Sequence, residues 1–583
     1  MKKITKYIIA GAALLWLGSC SKKFLNVTPQ GVITLADVST PQTVEGLVIA
    51  AYAWVPHEWT LGVKLMPWLA DIRSDDAYKG GGGLSDQAPW YQWEVFTLVT
   101  PNVGNNDGMW YGSYEGISRC NAALRALEKL TDAQYPQRDE EIAEMRFLRG
   151  VEFLQLKKWY KWIPYFTENV TADSIKLIPN HPDTAKNDLF IWNDILQDFV
   201  AAANVLPGTQ EQLGRPSKYA ADAFAAECLM WMSYGENEQN QVVNINKATL
   251  QEALTYLNDV INSGQYSLTP EFGHNFLPEY IDHNPGTIWA WQYSYNDGTP
   301  NGNLNGGTPL NAPWWPPYFS CCDFHKPSYT MVNAFRTGAD GLPLFNTYND
   351  ENITNKDAYF AGNTWDPRIG HTVAIPGLPW KYQTNILFDS SGSRVPADYA
   401  YFNSLKENVP AGSPYLVNLF WMWNAMDMVP IRYDRVLLWK AECLIQLGQY
   451  QQALPLINEV RQRAANSTKL LVFANGDPTL NYHITPYQDG VNCTWTPQFA
   501  WDALKWEDRL EFAEEGDRWF DIVRWGIADS VMNSYFTIEQ TRQGPNNWMP
   551  GVAHFTAGRD EYLPIPQNQI HWAAGVYKQN PGY

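Results

Sequence analysis

The chain has 583 residues and a formal net charge of −19 at pH 7. Proteins that bind nucleic acids or anionic lipid surfaces need clustered lysine and arginine side chains, so this charge argues against both classes of partner. The composition is rich in aromatic residues, with 27 Trp, 32 Tyr and 24 Phe. Some of these fill a large core, but a core does not easily hold adjacent tryptophans that are followed by prolines.

The first twenty residues, MKKITKYIIAGAALLWLGSC, have the pattern of a targeting segment. A start with three lysines precedes an apolar run, residues 8–17, that is too short to span a bilayer, which takes roughly twenty residues. The run ends in LGSC, which resembles a bacterial lipobox. We therefore predict a lipoprotein signal peptide, residues 1–19, and lipidation of Cys20, whose acyl chains would anchor the protein. The alternative is an ordinary signal peptide with a chance cysteine.

Four segments have the spacing of amphipathic helices: residues 109–130, 140–162, 217–234 and 431–464. The third opens with Ser217 as an N-cap, and the fourth predicts a helix, a turn at Gly448-Gln449 and a second helix. This fourth segment partly matches a tetratricopeptide hairpin, although Pro455 departs from the pattern. Such regions indicate helical hairpins that bury one another's faces. Three cysteines in helical segments are expected to be buried thiols that act as small hydrophobes: Cys120, Cys228 and Cys443.

Aromatic tracts rich in glycine, proline and asparagine separate the helices, at residues 68–100, 272–344 and 363–419. We expect these tracts to be non-helical. Long loops on a rigid scaffold usually carry function. Because aromatic faces lie well against the apolar faces of sugar rings, carbohydrate recognition is the first functional hypothesis.

The stretch from residue 311 to residue 328, NAPWWPPYFSCCDFHKPS, could be a catalytic centre, a metal centre or the wall of a binding site. Adjacent cysteines do not have the usual zinc spacing, so no metal site is predicted. Catalysis by a cysteine and His325 needs a spatial closeness that the sequence does not show. Cys321 and Cys322 are either buried thiols or a vicinal disulfide. We interpret the stretch as binding-site wall, with prolines that fix its backbone.

A glycosidase would need two carboxylates on either side of a sugar. Five acidic residues cluster near the C-terminus: Glu511, Glu514, Glu515, Asp517 and Asp521. We expect them to lie on one amphipathic helix and to pair with the arginines between them. No catalytic residue is therefore predicted.

Several motifs resemble the SusD/RagB family: LKWEDRLEFAEEGDRWFDIVRWG at residues 504–526, YLPIPQNQIHWAAGVYKQNPGY at residues 562–583, and the helical segments RPSKYAADAF, IRYDRVLLWKAE and EMRFLRGVEFLQL. The resemblance spans nearly the whole chain. It implies a mainly α fold, a single SusD-like domain at residues 20–583 with four tetratricopeptide-like helical pairs. The scaffold is expected at about residues 35–265 and 425–530, and a loop-rich ligand region with short β-hairpins at about 68–108 and 266–424.

The resemblance also implies a function. Members of this family are surface-exposed outer-membrane lipoproteins that capture a glycan for a TonB-dependent transporter of the SusC type, and they are not enzymes. No cofactor is predicted, although a structural calcium ion stays open because irregular oxygen cages leave little sequence trace. The alternatives are a peptide- or glycopeptide-binding member of the family, a glycoside hydrolase, and a transporter subunit without a ligand of its own.

In the family, the ligand face is built from an N-terminal loop and from a loop past the middle of the chain. The resemblance and the residue types together give the following candidate carbohydrate-binding residues: Arg73, Asp75, Asp76, Tyr78, Asp86, Trp90 and Tyr91 in the first loop, Trp314, Trp315, Tyr318, Cys321, Cys322 and Asp323 in the second, and Arg394 in a third. The aromatic rings would stack on sugars, and the charged groups would bind hydroxyls. For Asp75 and Asp76, the alternative is that they cap a turn.

The motifs RSDDAYKGG, CCDFHKPS and YNDGTPNGNLN resemble a branch of the family associated with fructan capture. Levan or inulin is therefore one predicted ligand. The tryptophans at residues 90–93 and 314–315 favour the flat faces of pyranose rings, so a plant polysaccharide such as xylan stays open.

Overall fold

The computed structural model describes residues 40–55, 66–181, 189–300, 302–353, 356–418, 421–543, 549 and 551–583. The predicted signal peptide and Cys20 lie outside these residues. Among the helices within the described ranges, none combines the length and the hydropathy that crossing a bilayer requires.

Helices account for most of the regular structure. In chain order they are α1 (Pro41–Trp54), α2 (Met66–Ile72), α3 (Ala88–Val95), α4 (Asn106–Leu127), α5 (Arg138–Tyr160), α6 (Ala172–Ile175), α7 (Leu189–Ala203), α8 (Lys218–Ser233), α9 (Lys247–Asn262), α10 (Pro278–Ile281), α11 (Tyr329–Ala334), α12 (Lys356–Gly362), α13 (Arg368–Thr372), α14 (Pro396–Tyr399), α15 (Tyr433–Gln446), α16 (Tyr450–Asn466), α17 (Pro497–Phe512), α18 (Asp517–Arg524), α19 (Ala528–Gln543) and α20 (Gln567–Trp572). Short 3-10 turns lie at Phe272–Phe276 and Ser390–Gly392.

Four helical pairs form the scaffold: α1 with α4, α5 with α7, α8 with α9, and α15 with α16. Neighbouring pairs also touch, because α4 packs on α5, α7 on α8, and α9 on α15. Each pair therefore buries the face of the next, as stacked helical repeats do. The predicted mainly helical fold is confirmed, and so is the chain of helical pairs.

Local sequence signals explain where these helices begin and end. The side chain of Ser217 accepts a hydrogen bond from the backbone N–H of Ala220 at 3.2 Å, so the predicted N-cap of α8 is confirmed. Gly448 has a φ of 83° and separates α15 from α16, so the predicted turn at Gly448-Gln449 is confirmed. The expected burial of the thiols is also confirmed, because Cys120, Cys228 and Cys443 are all fully buried.

The strands form two-stranded antiparallel pairs in the described part of the chain. They are β1 (Ala77–Gly80), β2 (Tyr234–Glu236), β3 (Val242–Ile245), β4 (Thr287–Trp291), β5 (Phe324–Pro327), β6 (Arg336–Thr337), β7 (Thr364–Trp365), β8 (Val373–Ala374), β9 (Pro379–Trp380), β10 (Gln383–Leu387), β11 (Asn403–Ser404), β12 (Leu416–Asn418), β13 (Met422–Asn424) and β14 (Met428–Arg432). The pair β1–β5 joins the predicted N-terminal loop to the wall stretch, with Tyr78 opposite Lys326. The pair β4–β14 joins the start of the loop-rich region to the strand before α15.

Two expectations about helices are wrong. Residues 504–526 do not form one helix: α17 ends at Phe512 and α18 begins at Asp517, because Glu514 and Gly516 take positive φ values of 64° and 87°. None of the three aromatic tracts is free of helix: the tract 68–100 contains α3 and most of α2, the tract 272–344 contains α10 and α11, and the tract 363–419 contains α13 and α14. Burial of the indole rings of Trp90 and Trp93 stabilises α3, although the residues before it are rich in glycine, which disfavours helix.

The C-terminal acidic residues pair mainly with arginines of other elements rather than along their own helix. The guanidinium of Arg368, which is fully buried, lies 2.6 Å from a carboxyl oxygen of Glu507 and 3.1 Å from one of Glu511. Asp517 pairs with Arg435 at 2.6 Å. The expected pairing with arginine is thus right in kind, but the partners come from distant segments, with Arg524–Asp521 as a local exception.

Lys381 gives a pH-dependent prediction. Its side chain is 2% exposed and its Nζ donates to the carbonyl of Phe276 at 2.8 Å, and burial lowers the pKa of its ammonium group to about 7. Between pH 7 and the ordinary lysine value of about 10.4, the unfolded chain holds the proton and the folded chain does not. The free energy of unfolding should therefore gain about 1.4 kcal/mol per pH unit from this group as the pH rises through that window.

We expect Lys381→Met to remove that contribution, so that the difference in free energy of unfolding between the natural chain and the variant changes steadily from pH 7 to pH 10. Urea denaturation across that range measures it. Lys247→Met, at an exposed position at the start of α9, is the control and should give a nearly constant difference. A constant difference for Lys381→Met as well would contradict the prediction.

Candidate functional site

Three segments that are distant in sequence meet at one surface: residues 80–94, 311–323 and 389–402. We call it the three-segment surface. Because β1 and β5 are antiparallel, the chain leaving β1 at Gly80 lies opposite the chain entering β5 at Phe324. The backbone N–H of Gly81 donates to the carbonyl of Asp323 at 2.7 Å. The third segment joins through the backbone N–H of Arg394, which donates to a carboxyl oxygen of Asp323 at 2.7 Å.

An exposed tryptophan stands beside a charge pair on this surface. The indole of Trp314 is 46% exposed, and the Arg394 guanidinium carbon lies 5.8 Å from its ring centroid. The Nη1 of Arg394 donates to Asp86 at 2.9 Å and to the carbonyl of Cys322 at 3.1 Å. The side chains of Arg394 and Asp86 are each 32% exposed, so a ligand on the Trp314 ring would also meet hydrogen-bonding groups.

The two neighbouring tryptophans have different environments. Trp315 is 6% exposed, and its ring packs against Trp380 and Phe388 with centroid distances of 5.8 and 5.2 Å. Tyr318 is 37% exposed and lies 4.9 Å from the Trp315 ring. Trp315 thus fixes the loop from below, while Trp314 and Tyr318 present rings to solvent.

The next three candidates form the inner side of the loop. Cys321 and Cys322 are paired as a disulfide in this structure, as in one of the two interpretations of the sequence. Asp323 is fully buried and accepts hydrogen bonds from Lys326 Nζ at 2.5 Å and from Asn403 Nδ2 at 3.2 Å. Asp323 therefore joins the three segments from the interior, through its backbone carbonyl to Gly81 and its carboxylate to Arg394. Burial raises the pKa of this carboxylate.

Several N-terminal candidates also lie in the interior. Arg73 is 1% exposed, its guanidinium lies over the rings of Phe96 and Trp519, and its Nη2 donates to the carbonyl of Asp560 at 2.7 Å. Trp90 is 3% exposed, because its ring packs edge-on against neighbouring aromatic rings. In this structure neither side chain reaches the three-segment surface.

Asp75, Asp76 and Tyr78 contact C-terminal residues instead of solvent. Asp75 pairs with Arg509 at 2.8 Å and with Arg518 at 2.9 Å, and Asp76 accepts from Arg509 at 3.0 Å. The hydroxyl of Tyr78 donates to Glu539 at 2.5 Å. These partners differ from the turn caps that were the alternative for the two aspartates. Of the first-loop candidates, Asp86 and the half-buried Tyr91 keep an accessible part.

Sequence reasoning missed Lys79, which organises the first segment. Its Nζ donates to the carbonyls of Gly80 and Gly83 at 3.0 Å each and to that of Asp86 at 2.6 Å. Burial lowers the pKa of Lys79 to about 8. A lysine directly before a glycine run is a weak signal for this arrangement, because an ammonium group has three donors and suits a turn rich in carbonyls.

Gly81 provides a test of how closely the segments approach. It has a φ of 77°, and a Cβ at this position would lie 2.5 Å from the ring of Phe324. We expect Gly81→Ala to lower the free energy of unfolding by about 1–2 kcal/mol through its backbone conformation and by roughly another 1–3 kcal/mol through overpacking. Gly83→Ala is the matched control, because Gly83 also has positive φ but no atom within 4 Å of its Cβ position. Equal losses in urea denaturation would show that the Phe324 ring moves aside.

The buried His325 does not resemble a catalytic base. Its Nε2 lies 3.0 Å from Asp71 and its Nδ1 lies 2.9 Å from Glu407. Burial opposes its charge, but the carboxylates of Glu514 and Glu407 hold the pKa of His325 well above its usual value. Both ring nitrogens are thus engaged in ion pairs. Within the described ranges, no three or more His, Cys, Asp or Glu side chains are grouped so as to hold a metal ion.

Comparison with known proteins gives matches over nearly the whole chain. The SusD family profile matches residues 285–583, and a profile described as "Starch-binding associating with outer membrane" matches residues 75–230. SusD-like protein P38 of Formosa agariphila is 31% identical over 76% of this chain and 77% of its own length. SusD-like protein P2 of the same organism is 21% identical over 98% of both chains.

Solved structures share the fold. Surface glycan-binding protein A from Bacteroides thetaiotaomicron, in complex with laminarihexaose, has a TM-score of 0.61 and 21% identity, covering 93% of this chain and 99% of its own. A laminarin-binding SusD-like protein has a TM-score of 0.63 and 20% identity, covering 94% of this chain and 100% of its own. The family profile over half of the chain, the 31% identity to a SusD-like protein and the helical-pair fold establish that this chain belongs to the SusD family.

Proposed function

We propose that this protein binds a glycan at the three-segment surface and delivers it to a TonB-dependent transporter of the SusC type. The observation that supports this most is the exposed Trp314 ring beside the Arg394–Asp86 pair. A sugar ring has an apolar C–H face for stacking and a rim of hydroxyls for charge-assisted hydrogen bonds. Trp315 and Asp323 fix the loop from beneath, so little conformational entropy is lost on binding.

The charges of the surface favour a neutral glycan. The charged side chains of the three segments that reach solvent are Asp86, Asp389, Arg394 and Asp398. Their excess of negative charge, together with the net charge of −19, would repel polymers of uronic acids or sulfated sugars. Fructans and xylan are neutral, and the laminarin-binding relatives add a neutral glucan to the candidates.

Binding without hydrolysis fits the acidic residues. Glu511 and Glu507 are fully buried and paired with arginines, so they cannot flank a sugar as a glycosidase requires. The proposed place of action is the outer surface of the outer membrane, with Cys20 as lipid anchor. The lipobox pattern and the outer-membrane description of the second matching profile support it.

Calorimetry tests the proposal. Residues 21–583 are titrated with levan, inulin, xylan, laminarin, a pectin and a casein digest. We expect heat with one neutral polysaccharide, and loss of that heat in Trp314→Ala. Trp572→Ala is the matched control, because Trp572 is 48% exposed and lies on α20, away from the three segments.

Three outcomes would contradict parts of the proposal. Equal binding by Trp314→Ala would move the site elsewhere. Binding of the pectin alone would overturn the neutral ligand class. Heat from the casein digest alone would favour the peptide-binding alternative.

A further inference from the structure

A second concave site lies apart from the three-segment surface. It is a pocket of about 80 Å³ that is partly open to solvent, lined by the 3-10 turn at Phe272–Phe276, residues 305–308, residues 406–407, β14 and the turn between α17 and α18. None of its lining residues belongs to the three segments. The proposed function above therefore does not use it.

Buried polar atoms around this pocket lack hydrogen-bond partners in the part of the chain that the structure describes. They are both carboxyl oxygens of Glu514, the Nε of Arg432 and the Nδ2 of Asn275. Glu514 is fully buried, and its nearest charged contact is His325 Nε2 at 3.5 Å. Buried polar groups are normally hydrogen-bonded, so these atoms indicate an occupant that both donates and accepts.

The other polar groups of the lining already have partners. Arg432 uses Nη1 and Nη2 for Asp434 and Glu515, at 2.7 and 2.9 Å. Lys406 Nζ pairs with Glu515 at 2.7 Å. The bases Lys406 and Arg432, with His325 beside them, nearly balance the four acids of the lining, Glu407, Asp427, Glu514 and Glu515. The pocket therefore presents mixed donors and acceptors, which disfavours a metal cation or an anion.

The lining also has an apolar side. Phe276, Met426, Met428 and Val429 contribute to it, and Met428 and Val429 are half-buried. An occupant with hydroxyls on one side and C–H groups on the other satisfies both parts. We propose that this pocket binds one neutral sugar unit, either a free monosaccharide or the end of a glycan chain.

Saturation-transfer NMR with D-glucose, D-fructose and D-xylose tests the proposal. The protein is the Trp314→Ala variant of residues 21–583, in which the three-segment surface is disabled. We expect a signal from at least one monosaccharide, and Val429→Trp in the same background should weaken its binding at least tenfold. Leu387→Trp, at a position that is 48% exposed in β10, is the control and should change nothing. Thermal denaturation verifies that each variant is folded.

Glu514→Gln gives a second measurement without a change of size, and it should also weaken the monosaccharide at least tenfold. The Val429→Trp substitution in the chain that keeps Trp314 distinguishes the two sources of the sugar. Weaker polysaccharide binding means that the pocket takes a chain end, and unchanged binding means that it takes a free monosaccharide. No signal from any of the three sugars, with water molecules alone in the pocket of crystals soaked in them, overturns the inference. So does a monosaccharide signal that survives both Val429→Trp and Glu514→Gln. Neither outcome affects polysaccharide binding through Trp314.

Discussion

Trp315→Ala is expected to lower the free energy of unfolding by about 3–5 kcal/mol, the usual range for removing a large buried aromatic side chain. Its ring fills a small core with Trp380 and Phe388, and alanine would leave a cavity there. Trp314→Ala should change the same quantity by less than about 0.5 kcal/mol, because that side chain lies at the surface and is 46% exposed.

The effects on glycan binding should be separable from the effects on stability. Trp314→Ala removes the stacking face and should weaken binding by at least about 2 kcal/mol, or roughly thirtyfold, as for a hot-spot aromatic residue. Trp315→Ala should also weaken binding, but through loss of support, and Trp315→Phe should restore part of both properties. Urea denaturation and calorimetry with the same glycan measure the two effects. Stability loss in Trp314→Ala, or an unchanged Trp315→Ala, would contradict the assignment.

Arg368→Ala is expected to destabilise the fold by about 3–5 kcal/mol. The guanidinium is fully buried and pairs with Asp366, Glu507 and Glu511, at 2.7, 2.6 and 3.1 Å. Removing it leaves three buried carboxylates with less compensating charge, and such groups are costly in a low-dielectric interior.

Arg138→Ala is the control for Arg368→Ala. Arg138 pairs with Asp132 and Asp139, whose side chains are 74% and 65% exposed, so its loss should cost less than about 1 kcal/mol. Urea denaturation at pH 7 compares the two variants. A loss below about 1 kcal/mol for Arg368→Ala would mean that its partners take up protons instead of staying charged.

The scaffold was predictable from sequence because its signals are local. Apolar spacing, the N-cap at Ser217 and the glycine turn at Gly448 each act within a few residues of themselves. The prediction of one helix over residues 504–526 was wrong at residues 513–516 for a local reason too. Nothing in a glutamate side chain indicates that Glu514 would take a positive φ. The small helix α3 exists because Trp90 and Trp93 find distant apolar partners.

The site was predictable only in outline. The aromatic stretch and the glycine run identified the segments that meet, but not which side chains face solvent. Trp314 and Trp315 are chemically identical, and their difference depends on Trp380 and Phe388, more than sixty positions further along the chain. Asp75 resembled a ligand contact because its partners, Arg509 and Arg518, lie more than four hundred positions away.

Those long-range partners set the order in which parts of the chain can fold. Asp75 is paired with Arg509, and the hydroxyl of Tyr78 donates to Glu539, and both partners belong to the C-terminal segment of the chain. Until that segment has folded, the carboxylates of Asp75 and Asp76 stay in water and β1 lacks its buried contacts. Helical hairpins can therefore form early in folding, whereas β1 and the three-segment surface become ordered only after the C-terminal segment has joined them.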